Sequence, residues 1–344
     1  MTAVESGEQA ATLDVLRQES PPSHWLVSVG KLAITATAIG FVLWIVDFQA
    51  VVENAAQQDR TDIAIAALVM AMQVVLGAVR WHLIGRRLGA WFPFLMTFQL
   101  YYIGSFFSSY VWSGVSGDIV RSWLSYRNGA APGVAINSVI LDRVALIVGI
   151  AVLMIVTAPW FFYRFGFGLQ AWVPSLVALG LLTMTAVAAH LHHMPARWQT
   201  WLPLRMLSAL GAATREIFMR PAAAVPAVAA AMAAQIALGV ATYAMARSLG
   251  TDITLIDCIV LMQIVALLTA VPISIGGWGV REVSMVALLG LVGVSSSAAL
   301  LLSIQLGLLG LAVNLPGGLF WILLRPRAHN AKERAEAYGT SAPH

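Results

Sequence analysis

Residues 269–282 read Thr269-Ala270-Val271-Pro272-Ile273-Ser274-Ile275-Gly276-Gly277-Trp278-Gly279-Val280-Arg281-Glu282, between two apolar runs. Pro272 removes a backbone donor, Gly276, Gly277 and Gly279 loosen the chain, and Arg281 and Glu282 add two charges. In hydrocarbon every freed backbone group needs a partner, and a charge at mid-membrane costs ~2.5–3.5 kcal/mol on insertion scales. A tight loop at the membrane surface avoids that cost, and so does a re-entrant hairpin lining a polar cavity. A second stretch has the same character: Ser113-Gly114-Val115-Ser116-Gly117-Asp118-Ile119-Val120-Arg121.

Composition decides what surrounds these breaks. The chain has 344 residues, 59% hydrophobic and 10% charged, and a mean hydropathy of +0.81; soluble domains carry about 25% charged residues. This composition is that of an integral membrane protein. The polar stretches reach only about 30 residues, short of the ~50 of a usual domain, so one transmembrane domain over 26–324 is expected. It is flanked by polar tails at 1–25 and 325–344, expected to be disordered and cytoplasmic. The acidic start (Glu5, Glu8, Asp14, Glu19) has no basic region ahead of a short apolar core, which argues against a cleaved signal peptide. The net charge of +4 is read as cytoplasmic loop charge, not as a nucleic-acid surface. Cys258, the single cysteine, excludes a disulfide within the chain.

Segments long enough to cross ~30 Å of hydrocarbon fall at 26–46, 63–84, 134–158, 171–190, 222–246 and 297–324. A short interfacial helix is expected within 191–221. With both termini cytoplasmic, fifteen of the 20 Lys and Arg residues lie at cytoplasmic ends, and Arg60, Arg164 and Arg247 lie outside. That bias supports the orientation. It forces 92–128 to enter and return on the cytoplasmic side, and 255–294 on the outer side. The expected fold is therefore an all-α polytopic bundle of six spans and two re-entrant hairpins, or eight spans if 255–272 and 282–294 cross fully. Its halves, about 26–158 and 171–324, form an inverted repeat, and transporters built that way bind substrate at the repeat interface.

Small residues at each turn expose amide N–H groups, and a helix starting at Asp118 or Val280 favours an anion at its N-terminus. Arg121 and Arg281 add planar forks suited to phosphate. The simpler reading is that Gly and Pro only make the turns and the charges pair with one another. Asp142 and Arg143 lie inside a span, about 100° apart on the helix, so they meet different partners. Arg143 with Glu282, or Asp142 with Arg281, would stitch the halves together. Arg80 lies about a turn inside its span. The expected headgroup-binding set is thus Arg281, Glu282, Arg121, Asp118, Arg143, Asp142 and Arg80. The expected turn residues are Pro272, Ser274, Gly276, Gly277, Gly279, Gly114 and Gly117. The aromatics from Phe92 to Trp112 read as an interfacial belt, or as the lining of a lipid-facing groove. His190, His192 and His193 sit at a membrane end with no Cys or acid nearby, which argues against metal. No P-loop, zinc motif or nucleophile–base set stands out, so no cofactor and no enzyme activity are expected.

At these residues the chain resembles the flippase-like transmembrane family that includes the N-terminal membrane region of lysylphosphatidylglycerol synthase. Arg80-Trp81 matches its Arg-Trp near the end of the second span. Gly104-Ser105-Phe106-Phe107, leading to Ser116-Gly117-Asp118-Ile119-Val120-Arg121, matches its first motif, and Arg143 matches an Arg in the following span. Pro272 through Glu282 match the late Pro-x-Ser-x-Gly-Gly-x-Gly-x-Arg-Glu motif in full. Trp112 stands where the family usually has Pro, and Ser116 where it has the first of two glycines. No lysyl-transferase domain follows, so synthase activity is not carried over.

The resemblance implies a lipid-translocating or lipid-handling protein of the inner (cytoplasmic) membrane. Its expected partners are membrane lipids: an anionic phospholipid, an aminoacylated lipid or a polyprenyl-phosphate carrier, held between the hairpins. The alternatives are an accessory membrane protein for a lipid or glycan synthase, and a lipid-modifying enzyme using Asp118 or Glu282.

Overall fold

The computed structural model describes residues 58–90, 92–110, 115–190, 202–271 and 277–323. The expected span 26–46, both tails, Gly114, Pro272, Ser274, Gly276, His192 and His193 lie outside these residues. Within them the chain forms helices and no strand. These are α1 (Arg60–Arg87), α2 (Phe94–Tyr110), α3 (Ser116–Arg127), α4 (Pro132–Val156), α5 (Ala158–Phe165) and α6 (Leu169–His190) in the first part. There follow α7 (Leu202–Phe218), α8 (Pro221–Ser248), α9 (Leu255–Ala270), α10 (Val280–Gly290), α11 (Ser296–Asn314) and α12 (Pro316–Leu323).

Local chemistry sets the helix ends. The Asp59 carboxylate accepts from Thr61 N at 2.8 Å and caps α1, while Arg86 and Arg87 close its last turn, where the dipole favours cations. Pro132 and Pro221 open α4 and α8, positions whose N–H has no intrahelical partner. Thr254 and Asp257 form a reciprocal capping box at the start of α9. Among the described residues, five segments are long and apolar enough to cross a membrane: Arg60–Arg87, Pro132–Val156, Ala171–His190, Pro221–Ser248 and Ser296–Leu323.

The hairpin helices are shorter. α2 and α3 have 17 and 12 residues, and α9 and α10 have 16 and 11, against the ~20 a span needs. Within each pair the two helices pack on one another.

Packing shows the internal repeat. Exchanging α1, α2, α3, α4 for α8, α9, α10, α11 maps the main contacts onto one another. α1 on α2 becomes α8 on α9, α3 on α4 becomes α10 on α11, and α4 on α8 becomes α11 on α1. The most extensive contact, α1 on α8, maps onto itself. These two helices run antiparallel. Arg87 at the end of α1 donates to the Ala222 carbonyl at 3.3 Å. At the other end, Arg247 pairs with Asp62 at 3.0 Å. Equivalent helices packed antiparallel put the two halves in opposite senses, as an inverted repeat requires.

Two details differ from expectation. The loop after α4 is helical over Ala158–Phe165, because Pro159 opens a turn whose Phe161 packs with Ala171 and Val260. The last span breaks after Asn314, and Pro316 starts α12. There the Tyr110 hydroxyl of α2 donates to the Leu311 carbonyl at 2.7 Å, and Tyr102 donates to the Val313 carbonyl. Phe98 and Tyr102 also pack on Phe320. Much of the aromatic stretch expected as an interfacial belt therefore holds the first hairpin against α11 and α12.

Candidate functional site

Gly104 and Gly117 bring the arms of the first hairpin together. A Cβ on Gly117 would lie 2.1 Å from the Gly104 carbonyl oxygen, and one on Gly104 would lie 2.4 Å from Arg121 Cγ. The Arg121 side chain thus crosses α2 where no side chain stands. Its guanidinium carbon lies 5.1 Å from the Trp81 ring centroid and 4.9 Å from that of Tyr101, a stacking that suits a planar cation. Trp81 is itself fixed by donating from Nε1 to Ser138 Oγ at 3.3 Å.

Around Arg121 the charges form an alternating chain. Arg80 Nε lies 2.7 Å from Asp142 Oδ1, and Arg121 Nη1 lies 2.9 Å from Asp142 Oδ2. Arg121 Nη2 lies 2.7 Å from Asp118 Oδ1, and Arg143 Nε lies 2.8 Å from Asp118 Oδ2. Exposure rises along it: the side chains of Arg80, Asp142 and Arg121 are 4%, 2% and 5% exposed, Asp118 is 19%, and Arg143 is 40%. Charges so deep persist only when paired and hydrogen-bonded. Three guanidiniums against two carboxylates leave one positive charge in excess, and the most accessible member is a cation, Arg143.

These five residues line a cavity of about 210 Å³, about seven waters' share of liquid volume at ~30 Å³ each. Ser105, Ser108 and Ser109 of α2 face it, and Asn314 of α11 closes it from the second half. The cavity is polar, carries excess positive charge and is built mainly on the first hairpin, α1 and α4.

The second hairpin is arranged differently. Gly277 and Gly279 take φ of +79° and +84°, the left-handed region that favours glycine. Glu282 accepts from Gly279 N and caps its own helix. Its Oε1 also meets Arg281 Nη2 at 2.7 Å and accepts from Ser303 Oγ at 3.2 Å. Arg281 lies 4.5 Å from the Trp278 ring centroid. A Cβ on Gly307 would come within 2.2 Å of its guanidinium, so Gly307 makes its seat between α10 and α11.

The expected stitching of the halves therefore does not form. Arg143 pairs with Asp118 instead of Glu282, and Asp142 pairs with Arg80 and Arg121 instead of Arg281. Arg80, Asp118, Arg121, Asp142 and Arg143 come together in one cavity; Arg281 and Glu282 do not line it. Between α10 and α11, Arg281 Nε donates to Ser303 Oγ at 3.2 Å, where the α3–α4 contact of the first half carries the Arg121–Asp142 ion pair. Asp257 accepts from Trp160 Nε1 at 2.9 Å, a structural role. Among the described residues no cluster of His, Cys, Asp and Glu is arranged to hold a metal.

Tyr101, the three serines and Asn314 escape a reading of the residues alone. The available signals were the spacing of Tyr101, Ser105, Ser108 and Ser109 along one side of a helix, and a lone Asn ahead of Pro316-Gly317-Gly318 in an apolar run.

The comparisons agree with this architecture. A comparison with curated proteins finds no match. The family model described as the lysylphosphatidylglycerol synthase TM region matches residues 28–318, which include both hairpins, the buried ionic chain and the start of α12. The chain belongs to the lysylphosphatidylglycerol synthase transmembrane-region family, multi-pass membrane proteins associated with lipid biosynthesis or transport.

Proposed function

We propose that the protein is a flippase-like transporter that takes a phosphate-bearing lipid headgroup into the cavity of the first hairpin. The observation that carries this reading is the ionic chain, with three arginines against two aspartates and Arg143 at its accessible end. An anionic phosphodiester neutralises the excess charge, and the guanidinium fork of Arg143 suits its oxygens.

In this reading Arg143 is the primary phosphate ligand, and Asp118 competes with the phosphate for it. Asp118 keeps its bond to Arg121 when phosphate arrives, so no buried acid is stranded. Arg80, Asp142 and Arg121 set the depth and angle of the site. Arg281 and Glu282 brace the second hairpin, whose movement against α11 supplies the outward-facing state. The protein acts in the inner membrane with both termini cytoplasmic. It catalyses no covalent step, and its partners are membrane lipids.

The test is movement of fluorescent phospholipids across liposomes containing purified protein. Wild type should expose inner-leaflet lipid to an external quencher, and Arg143→Ala should slow this at least tenfold. Equal rates for wild type, Arg143→Ala and empty liposomes would overturn the transport reading and favour an accessory role beside a lipid- or glycan-synthesis enzyme.

A further inference from the structure

Both carboxylates in the cavity are already committed. Asp142 Oδ1 and Oδ2 receive Arg80 and Arg121. Asp118 Oδ1 receives Arg121 and Arg143, and Oδ2 receives Arg143. A phosphodiester at Arg143 brings the three arginines and two aspartates to neutrality, and a headgroup ammonium would restore the excess positive charge. The remaining polar wall is neutral. Within it, Asn314 Nδ2 donates to Ser109 Oγ at 3.1 Å. Its Oδ1 is buried and has no partner among the described residues. A buried acceptor left unpaired costs about 1–3 kcal/mol, and here it belongs to a residue that lines the cavity.

We propose that Asn314 selects the headgroup, with Oδ1 accepting a hydrogen bond from a hydroxyl of an uncharged glycerol or sugar headgroup whose phosphodiester lies at Arg143. This rests on the reading that the cavity takes the lipid phosphate. Asn314 comes from the second half, and the Arg143 site from the first, so selection also couples the halves.

The test compares labelled phospholipids with glycerol, inositol, ethanolamine and choline headgroups, in liposomes carrying the full chain. Wild type should move the glycerol and inositol lipids fastest. Asn314→Leu should slow these two about 2–10-fold, the range of one neutral hydrogen bond, and leave the other two unchanged. The near-isosteric Asn314→Asp should raise the ethanolamine rate above that of wild type, because it supplies the missing acid.

Native mass spectrometry of lipid bound to the same variants reads the preference without transport. Binding that follows this order while nothing moves would support Asn314 as the selector and overturn transport. Movement that needs Arg143 but ignores headgroup, or variants that slow all four lipids equally, would overturn the inference and leave transport standing.

Discussion

Replacing Asp142 by Asn tests the ionic chain at its most buried link. The side chain is 2% exposed and accepts from Arg80 at 2.7 Å and Arg121 at 2.9 Å. The neutral amide keeps the shape and removes the charge. Arg121 retains Asp118, so the residue stranded is Arg80, for which Asp142 is the acid within salt-bridge distance among the described residues. Breaking one side of a buried pair costs about 3–5 kcal/mol. At ~2.1 cal/mol/K of unfolding entropy per residue, a chain of 344 residues loses about 1.4 °C per kcal/mol, so the melting temperature should fall about 4–7 °C. Intrinsic fluorescence from the 12 tryptophans follows unfolding of the purified protein. Adding Arg80→Met should recover most of the loss, since it removes the stranded cation. A fall under about 2 °C for Asp142→Asn, or no recovery in the double variant, would refute the argument that these charges are mutually dependent.

Four further outcomes are expected. Arg143→Ala should barely change the melting temperature, because an exposed ion pair contributes about 0–1 kcal/mol, while lipid movement falls. Arg281→Ala should do the reverse, lowering thermal stability while leaving headgroup preference unchanged. Gly104→Ala should cost about 1–3 kcal/mol by overpacking and should weaken lipid binding, because its Cβ would lie 2.4 Å from Arg121 Cγ; calorimetry and lipid retention read the two effects. In a Cys258→Ala background, a thiol at Asn128 should react with an impermeant reagent only from the cytoplasmic side, and one at Ser297 only from outside; labelling of both from one side would refute the inverted orientation.

Much of the site is legible in the residues, but its wiring is not. Asp118 and Arg121 are three apart on a helix and share a face, so their pairing follows from helix geometry. Asp142 and Arg143 diverge by about 100°, and they do meet different partners. Those partners lie in the same half because the four-residue link after Arg127 lays α3 against α4. Neither hydropathy nor charge counts report that adjacency. Arg281 and Glu282 pair although adjacent, because Glu282 bends back to cap Gly279 and so meets the neighbouring guanidinium. The turn glycines signal a hairpin without saying that Gly104 and Gly307 are seats for arginines. Asn314 is the hardest to foresee. Its relevance depends on a helix break that Tyr102 and Tyr110 hold against α2, a contact between residues some 200 positions apart.

The central claim is that a lipid phosphate binds at Arg143 in the first hairpin. Determining the structure of the protein in nanodiscs rich in phosphatidylglycerol tests it most directly. The account predicts headgroup density in the cavity between α2, α3 and α4, with a phosphate oxygen within hydrogen-bond reach of Arg143 and a glycerol hydroxyl turned toward Asn314. Headgroup density at Arg281 and Trp278, with the Arg143 cavity holding only solvent, would contradict it.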